Sequence, residues 1–497
     1  MNQAAGITAV AVVSVLTLAI GAWGLRFSRT TSDFFVASRT VRPTLNASAI
    51  GGEYLSAGSF LGIAGLVLVF GGQMLWYPVG WTAGYLVLLL LVAAPLRRSG
   101  AYTLPDFAGA RLASRRVRQL TSMLVVAIAW LYLIPQFQAA GITLELATGL
   151  DPRLGGLVVA AVVLVNVLAG GMRSITFVQA FQFWLKLTAL LVPAFFLLLV
   201  WWGDGATSPA DTVGGAAWAN PIVSGGQSYY ATYSLIAATF LGTMGLPHVV
   251  VRFYTNPDGR AARRTTLVVL ALLGMFYVLP PVYGALGRLY APDLADSGAS
   301  DTVVLDLPSR MVGGVGGDLL SALLVAGAFA AFLSTSSGLT VALSGVLAQD
   351  VFARWATGVQ SFRLAAIVGV VVAFALGQLA ADVGVATAVG LAFAVAASTF
   401  APLIVLGIWW AGLTDAGAIA GLLVGGLTTG AAVLVTFLGA PAGWTGTLLT
   451  QPAAWSVPLA TLTMVGVSLL TPQRRPAGAT RFLVRLHTPE RVQLDRG

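Results

Sequence analysis

The 497-residue chain has no cysteine. Disulfides, thiolate catalysis and cysteine-held metals are therefore excluded. It has two histidines, His248 and His487, far apart in sequence. That argues against a zinc or haem site, and no cofactor is expected. Charged residues make up only 9% of the chain, while 57% of it is hydrophobic. No soluble domain of this length has such a balance. No lysine or arginine precedes the first apolar run, Ala4 to Leu25, and the first arginine is Arg26. A signal peptide would carry a positive segment there. The run is expected to persist as a helix with its N-terminus outside.

What the chain does have is long apolar runs. Many exceed the ~18 residues expected of a membrane helix. Thirteen spans are expected, at about 4–25, 44–70, 74–95, 121–146, 154–170, 173–202, 227–253, 265–289, 318–348, 362–381, 384–410, 416–438 and 453–471. With the N-terminus outside, 23 arginines fall in cytoplasmic connections or the C-terminal tail, and only Arg153, Arg288 and Arg310 fall outside. That asymmetry sets the topology. It also accounts for the net charge of +9, which meets anionic lipid, so nucleic acid need not be invoked. A multi-pass protein of the cell (inner) membrane with a cytoplasmic C-terminus is expected.

Span 2 organises the rest. Asn46 to Phe70 is apolar enough to cross a bilayer, yet carries Gly51-Gly52-Glu53-Tyr54 near its middle. A carboxylate at that depth is costly unless paired or hydrated, and paired glycines are poor helix formers. The helix is expected to break at the glycines. Broken membrane helices occur where freed backbone lines a cavity or is buried in protein. Span 7 is interrupted in kind by Gly242-Thr243-Met244-Gly245-Leu246-Pro247-His248. Interrupted helices at corresponding places in two halves mark a transporter site at the membrane midplane. The division expected is 1–43, a helix and loop; 44–202 and 227–410, two inverted five-helix repeats; 411–471, two further helices; and 472–497, a basic tail.

Span 9 reads Ala331-Phe332-Leu333-Ser334-Thr335. Residues 331, 334 and 335 share one helix face. Their oxygens could hold a small hard cation. Such hydroxyls also commonly bond back to their own helix or glue neighbouring helices. Ser56 and Ser59 of span 2, Gln136 of span 4 and Thr243 of span 7 offer donors to a carboxylate, and half-helix N-termini favour an anion. Lys186, mid-span, reads as a counter-ion, a snorkelling side chain or a gating residue. His248 reads as structural, near the inner surface.

The segment Gly51–Gly62 together with Ala331–Thr335 resembles the sodium:solute symporter family. Gly51-Gly52-Glu53-Tyr54-Leu55-Ser56-Ala57-Gly58-Ser59-Phe60-Leu61-Gly62, Gly242–His248 with Arg252-Phe253-Tyr254, and Tyr132-Leu133-Ile134-Pro135-Gln136 are similar to its cation–acetate symporter (acetate permease) branch. The resemblance implies an all-α, LeuT-like membrane fold and sodium-coupled symport of acetate or a related short-chain monocarboxylate. It implies a sodium site of the Gly52, Leu55 and Ala331 carbonyls with the Ser334 and Thr335 hydroxyls. Relatives often have Asp where this chain has Glu53. The same scaffold serves proline, sugar or pantothenate symport with sodium or protons. A channel would need a continuous polar pore and an enzyme a cluster of catalytic groups. The sequence offers neither.

Overall fold

The computed structural model describes residues 3–24, 26, 31–212, 214–223, 225–355, 358–379, 384–490 and 492. Every regular element among them is helical. Arg29, Arg491, Arg496 and the end of the tenth expected span lie outside the described residues. Among the described residues ten helices are long and apolar enough to cross a membrane, and the bent pair Gly226–Gly245 and Pro247–Phe253 makes an eleventh. Two of the ten, Gly58–Arg98 and Pro152–Gly203, are long enough for two crossings each. The thirteen expected crossings thus have helical counterparts.

The principal helices are, in order, α1 (Gln3–Gly24), α2 (Pro43–Tyr54), α3 (Ile63–Phe70), α4 (Trp76–Val87), α5 (Leu104–Leu112), α6 (Arg115–Thr148) and α7 (Pro152–Gly203). There follow α8 (Gly226–Gly245), α9 (Pro247–Phe253), α10 (Gly259–Tyr277), α11 (Leu279–Tyr290), α12 (Gly314–Asp350), α13 (Gly358–Leu379), α14 (Val385–Trp409), α15 (Asp415–Gly439) and α16 (Ala453–Leu470). The short helices α5 and α17 (Ala479–His487) pack on each other, Phe107 against Phe482 at 6.2 Å between ring centres. In α5, Thr103 and Asp106 form a reciprocal capping box, which satisfies two backbone donors that a helix start leaves free. The tail beyond α16 does not extend that helix. It folds back as α17, where the Leu486 carbonyl accepts from Arg98 at 3.3 Å.

Helix α12 is the centre of the bundle. Every residue from Leu324 to Ala348 is buried, as an apolar helix must be when packed on all sides. It packs most extensively against α7. The expected gap between spans 5 and 6 is a turn inside one continuous helical trace. Gly171 takes φ +55°, and a Cβ there would meet Phe34 at 2.6 Å. Only glycine fits both the conformation and the space.

The break in span 2 is displaced from its expected place. Gly51 and Gly52 are helical, and α2 runs on to Tyr54. The helix stops at Leu55, which has φ −76° and ψ 86°, and resumes through a π turn at Gly58–Gly62. The paired glycines serve close packing. A Cβ on Gly52 would stand 2.1 Å from the Gln179 carbonyl oxygen, and one on Gly51 2.7 Å from Phe183. Span 7 breaks at Leu246, where α8 and α9 meet at 44°.

Candidate functional site

A helix C-terminus leaves its last carbonyls without intrahelical partners. At the end of α2 these are claimed one by one. The Glu53 carbonyl accepts from Thr335 Oγ1 at 2.7 Å. The Gly52 and Leu55 carbonyls accept from Lys186 Nζ at 2.5 and 2.7 Å. Lys186 also donates to Ser334 Oγ at 3.0 Å, and Ser334 donates in turn to the Ala331 carbonyl at 3.0 Å. The five residues expected to hold sodium, Gly52, Leu55, Ala331, Ser334 and Thr335, therefore lie together where α2 ends against α12. Three of their oxygens surround the ammonium of Lys186. The sequence could name this lysine but not its partners. It is fully buried, so it does not snorkel.

Beside it stands a second charged group. Glu53 Oε2 accepts from Arg252 Nε at 2.6 Å, and both side chains are shielded from solvent. Arg252 also donates to Thr176 Oγ1 at 2.9 Å and to Gln179 Oε1. The pair joins the two interrupted helices, α2 and α9. Gly338 of α12 makes room for it, since a Cβ there would meet Glu53 Cδ at 2.1 Å.

The expected substrate residues divide. Gln136 Oε1 accepts from the Ala57 backbone N–H at 3.1 Å, so it caps the restart of span 2. Thr243 donates to the Thr239 carbonyl at 2.8 Å and lies 2.7 Å from the Tyr54 hydroxyl. Ser59 lies 2.9 Å from the Tyr277 hydroxyl. Ser56 is fully buried beside Tyr132. Ser56, Ser59, Gln136 and Thr243 thus gather around the break, three of them with protein partners.

The sequence reading missed the rings around that break. Phe393 of α14 touches Trp81 at 5.4 Å, Tyr132 at 5.9 Å and Tyr54 at 6.1 Å between ring centres. Trp81 also meets Tyr277 at 5.8 Å, and Tyr54 meets Tyr85 at 4.9 Å. His248 is not at a surface. It is buried against Tyr132 at 5.3 Å, immediately after the α8–α9 break. The His248 nitrogens, Trp81 Nε1, the Tyr85 hydroxyl and the Ser56 hydroxyl have no hydrogen-bond partner among the described residues. On the α3 side, Tyr77 packs on Trp81 at 5.3 Å. Tyr77, Gln73, Gln227, Thr232 and Gln451 line a cavity of about 380 Å³ there.

Two interrupted helices, closed over a buried lysine and a polar-tipped aromatic cluster, fit a secondary transporter of the broken-helix class. The Sodium:solute symporter family model matches residues 34–425, and the chain belongs to that family. It is 33% identical over 460 residues, 89% of this chain and 88% of the relative, to the uncharacterised symporter YwcA of Bacillus subtilis (strain 168). Its fold is similar to that of a Na+-coupled sialic acid symporter solved in a substrate-bound outward-open state. That likeness has TM-score 0.71 at 14% identity and covers 93% of this chain and 98% of the other. It is also similar to MHP1, a nucleobase-cation-symport-1 family transporter in a closed conformation, with TM-score 0.52 at 16% identity, over 91% and 98% of the two chains. The LeuT-like, all-α fold stands on these likenesses. Family membership supports sodium-coupled symport of a small solute by a multi-pass membrane transporter.

Proposed function

We propose that the chain carries acetate or a related short-chain monocarboxylate across the cell membrane by cation-coupled symport, sodium being the family's ion. The N-terminus faces outside and the C-terminus the cytoplasm in this reading. The observation that carries the substrate class is the set of buried, unpartnered polar groups at Ser56, Trp81, Tyr85 and His248. A buried donor left without an acceptor costs ~1–3 kcal/mol. A small carboxylate offers several acceptor sites at once, and its short apolar tail suits the ring of Phe393. Among the described residues the arginine of the broken helices, Arg252, is committed to Glu53. The charge of a small acid would instead be met by neutral donors and by the start of a half-helix. The cavity beside Tyr77 is the approach from the outer side in this topology.

One observation favours a second reading. Trp81 and Phe393 lie at 38° to each other, and Trp81 and Tyr277 at 33°. Tilted aromatic faces of this kind also suit a planar or cyclic neutral solute. Uptake of labelled acetate, propionate, pyruvate and proline into proteoliposomes, under imposed sodium or proton gradients, separates the two. Saturable acetate uptake inhibited by propionate is expected. Transport of proline or a sugar unaffected by excess acetate would overturn the monocarboxylate reading.

A further inference from the structure

Lys186 is the only lysine in the chain; the other 26 basic side chains counted with it are arginines. An ammonium is a compact point charge, nearer in shape to a small cation than the flat fork of a guanidinium. The one ammonium side chain is the one placed at the end of α2.

Its surroundings specify its protonation. Two of its three partners are backbone carbonyls, at Gly52 and Leu55, which can only accept. The third, Ser334 Oγ, spends its own hydrogen on the Ala331 carbonyl, so toward Lys186 it also accepts. Three acceptors require three N–H donors, which the ammonium has and the neutral amine lacks. The negative end of the α2 dipole adds to the preference for a positive charge. These same oxygens are three of the five that the family resemblance gives to sodium. A sodium ion held by them would coincide with the ammonium nitrogen.

We propose that Lys186 is a tethered cation that takes sodium's place at this site, so that these oxygens hold no sodium ion while the lysine is in place. This rests on the symport reading above and replaces the ion at this position. In the protonated state α7 is clamped to both α2 and α12.

The charged neighbours are accounted for. Glu53 of α2 is the carboxylate that faces Lys186, and it is held by Arg252 of α9. Elsewhere around α7, Asp33 pairs with Arg173, Asp350 of α12 with Arg118, and Asp306 with Arg310. Asp318 stands in the opposite end of α12 from Asp350. Arg363 of α13 donates to the Leu168 carbonyl and Tyr283 of α11 to the Leu190 carbonyl. Tyr132 of α6 faces His248, while Glu145 of α6 is exposed. Helix α1 has no titratable side chain.

Thermal unfolding of the purified full chain, with and without sodium chloride, tests the proposal, choline chloride being the ionic-strength control. Sodium should leave the wild-type midpoint unchanged. It should raise the midpoint of Lys186→Ala, or of Lys186→Gln if the alanine variant does not fold, by several degrees. Sodium stabilisation of the wild type, with the same sodium response in the lysine variants, would overturn the proposal. If no tested acid is transported, the substrate reading fails alone, because unfolding needs no substrate and still decides the role of Lys186.

Discussion

Glu53 and Arg252 meet at 2.6 Å across the two interrupted helices, in a place neither solvent nor lipid reaches. The pair is tied further to α7, where Thr176 and Gln179 accept from Arg252. The two half-helices are thus joined by one fully desolvated contact. Such a pair resists the loss of one partner far more than the loss of both.

Glu53→Ala or Arg252→Ala should each cost ~3–5 kcal/mol, because each leaves a buried charge unpaired. The loss should show as a lower unfolding midpoint and a smaller yield of monodisperse protein. Replacing both by apolar residues should cost clearly less than the two single changes added together. Additive effects in that cycle would mean the pair carries no coupling. Gly338→Ala should disturb the same contact by crowding Glu53.

Tyr85→Phe separates binding from folding. The Tyr85 hydroxyl has no partner among the described residues, so its removal should leave the unfolding midpoint unchanged or slightly raised. If it serves the substrate, the half-saturating acetate concentration should rise about tenfold, or ~1.4 kcal/mol. Tyr277→Phe should behave in the opposite way. It loses the contact with Ser59, worth ~0.5–1.5 kcal/mol of stability.

Ser334→Ala with Thr335→Ala strips α12 of both hydroxyls that reach α2 and Lys186. The expected result is a tenfold or greater rise in the concentration of the driving cation needed for half-maximal uptake, on the order of 1.4 kcal/mol. If these hydroxyls only served their own helix, that dependence would stay where it is in well-expressed protein.

Topology has its own test. Labels in 203–226 or 290–317 should react from outside intact cells, and labels in 97–120 or near the C-terminus only after permeabilisation. The arginine asymmetry is the motive. Finding the C-terminal tail and the 290–317 loop on one side would overturn the thirteen-span arrangement.

Much of the fold was legible in the sequence because a bilayer imposes it. A crossing needs a fixed length of apolar chain, so the spans could be read without knowing what packs on what. Both interruptions were legible too, since Gly51–Ser59 and Gly242–His248 carry residues that an unbroken membrane helix does not need. The position of the first break was not. Gly51 and Gly52 read as helix breakers, but close approach of α7 keeps them helical, and the chain breaks at Leu55 instead. The aromatic cluster around Phe393 was hidden because its rings come from five separate stretches of chain, each unremarkable alone. The sharpest divide is at Lys186. The sequence determines that a lone lysine lies within an apolar span. Only the tertiary structure decides that its nitrogen meets Gly52 and Leu55, 134 and 131 residues away. A buried charge is placed by whichever acceptors the packing brings within reach, and local sequence does not encode which helix those acceptors stand on.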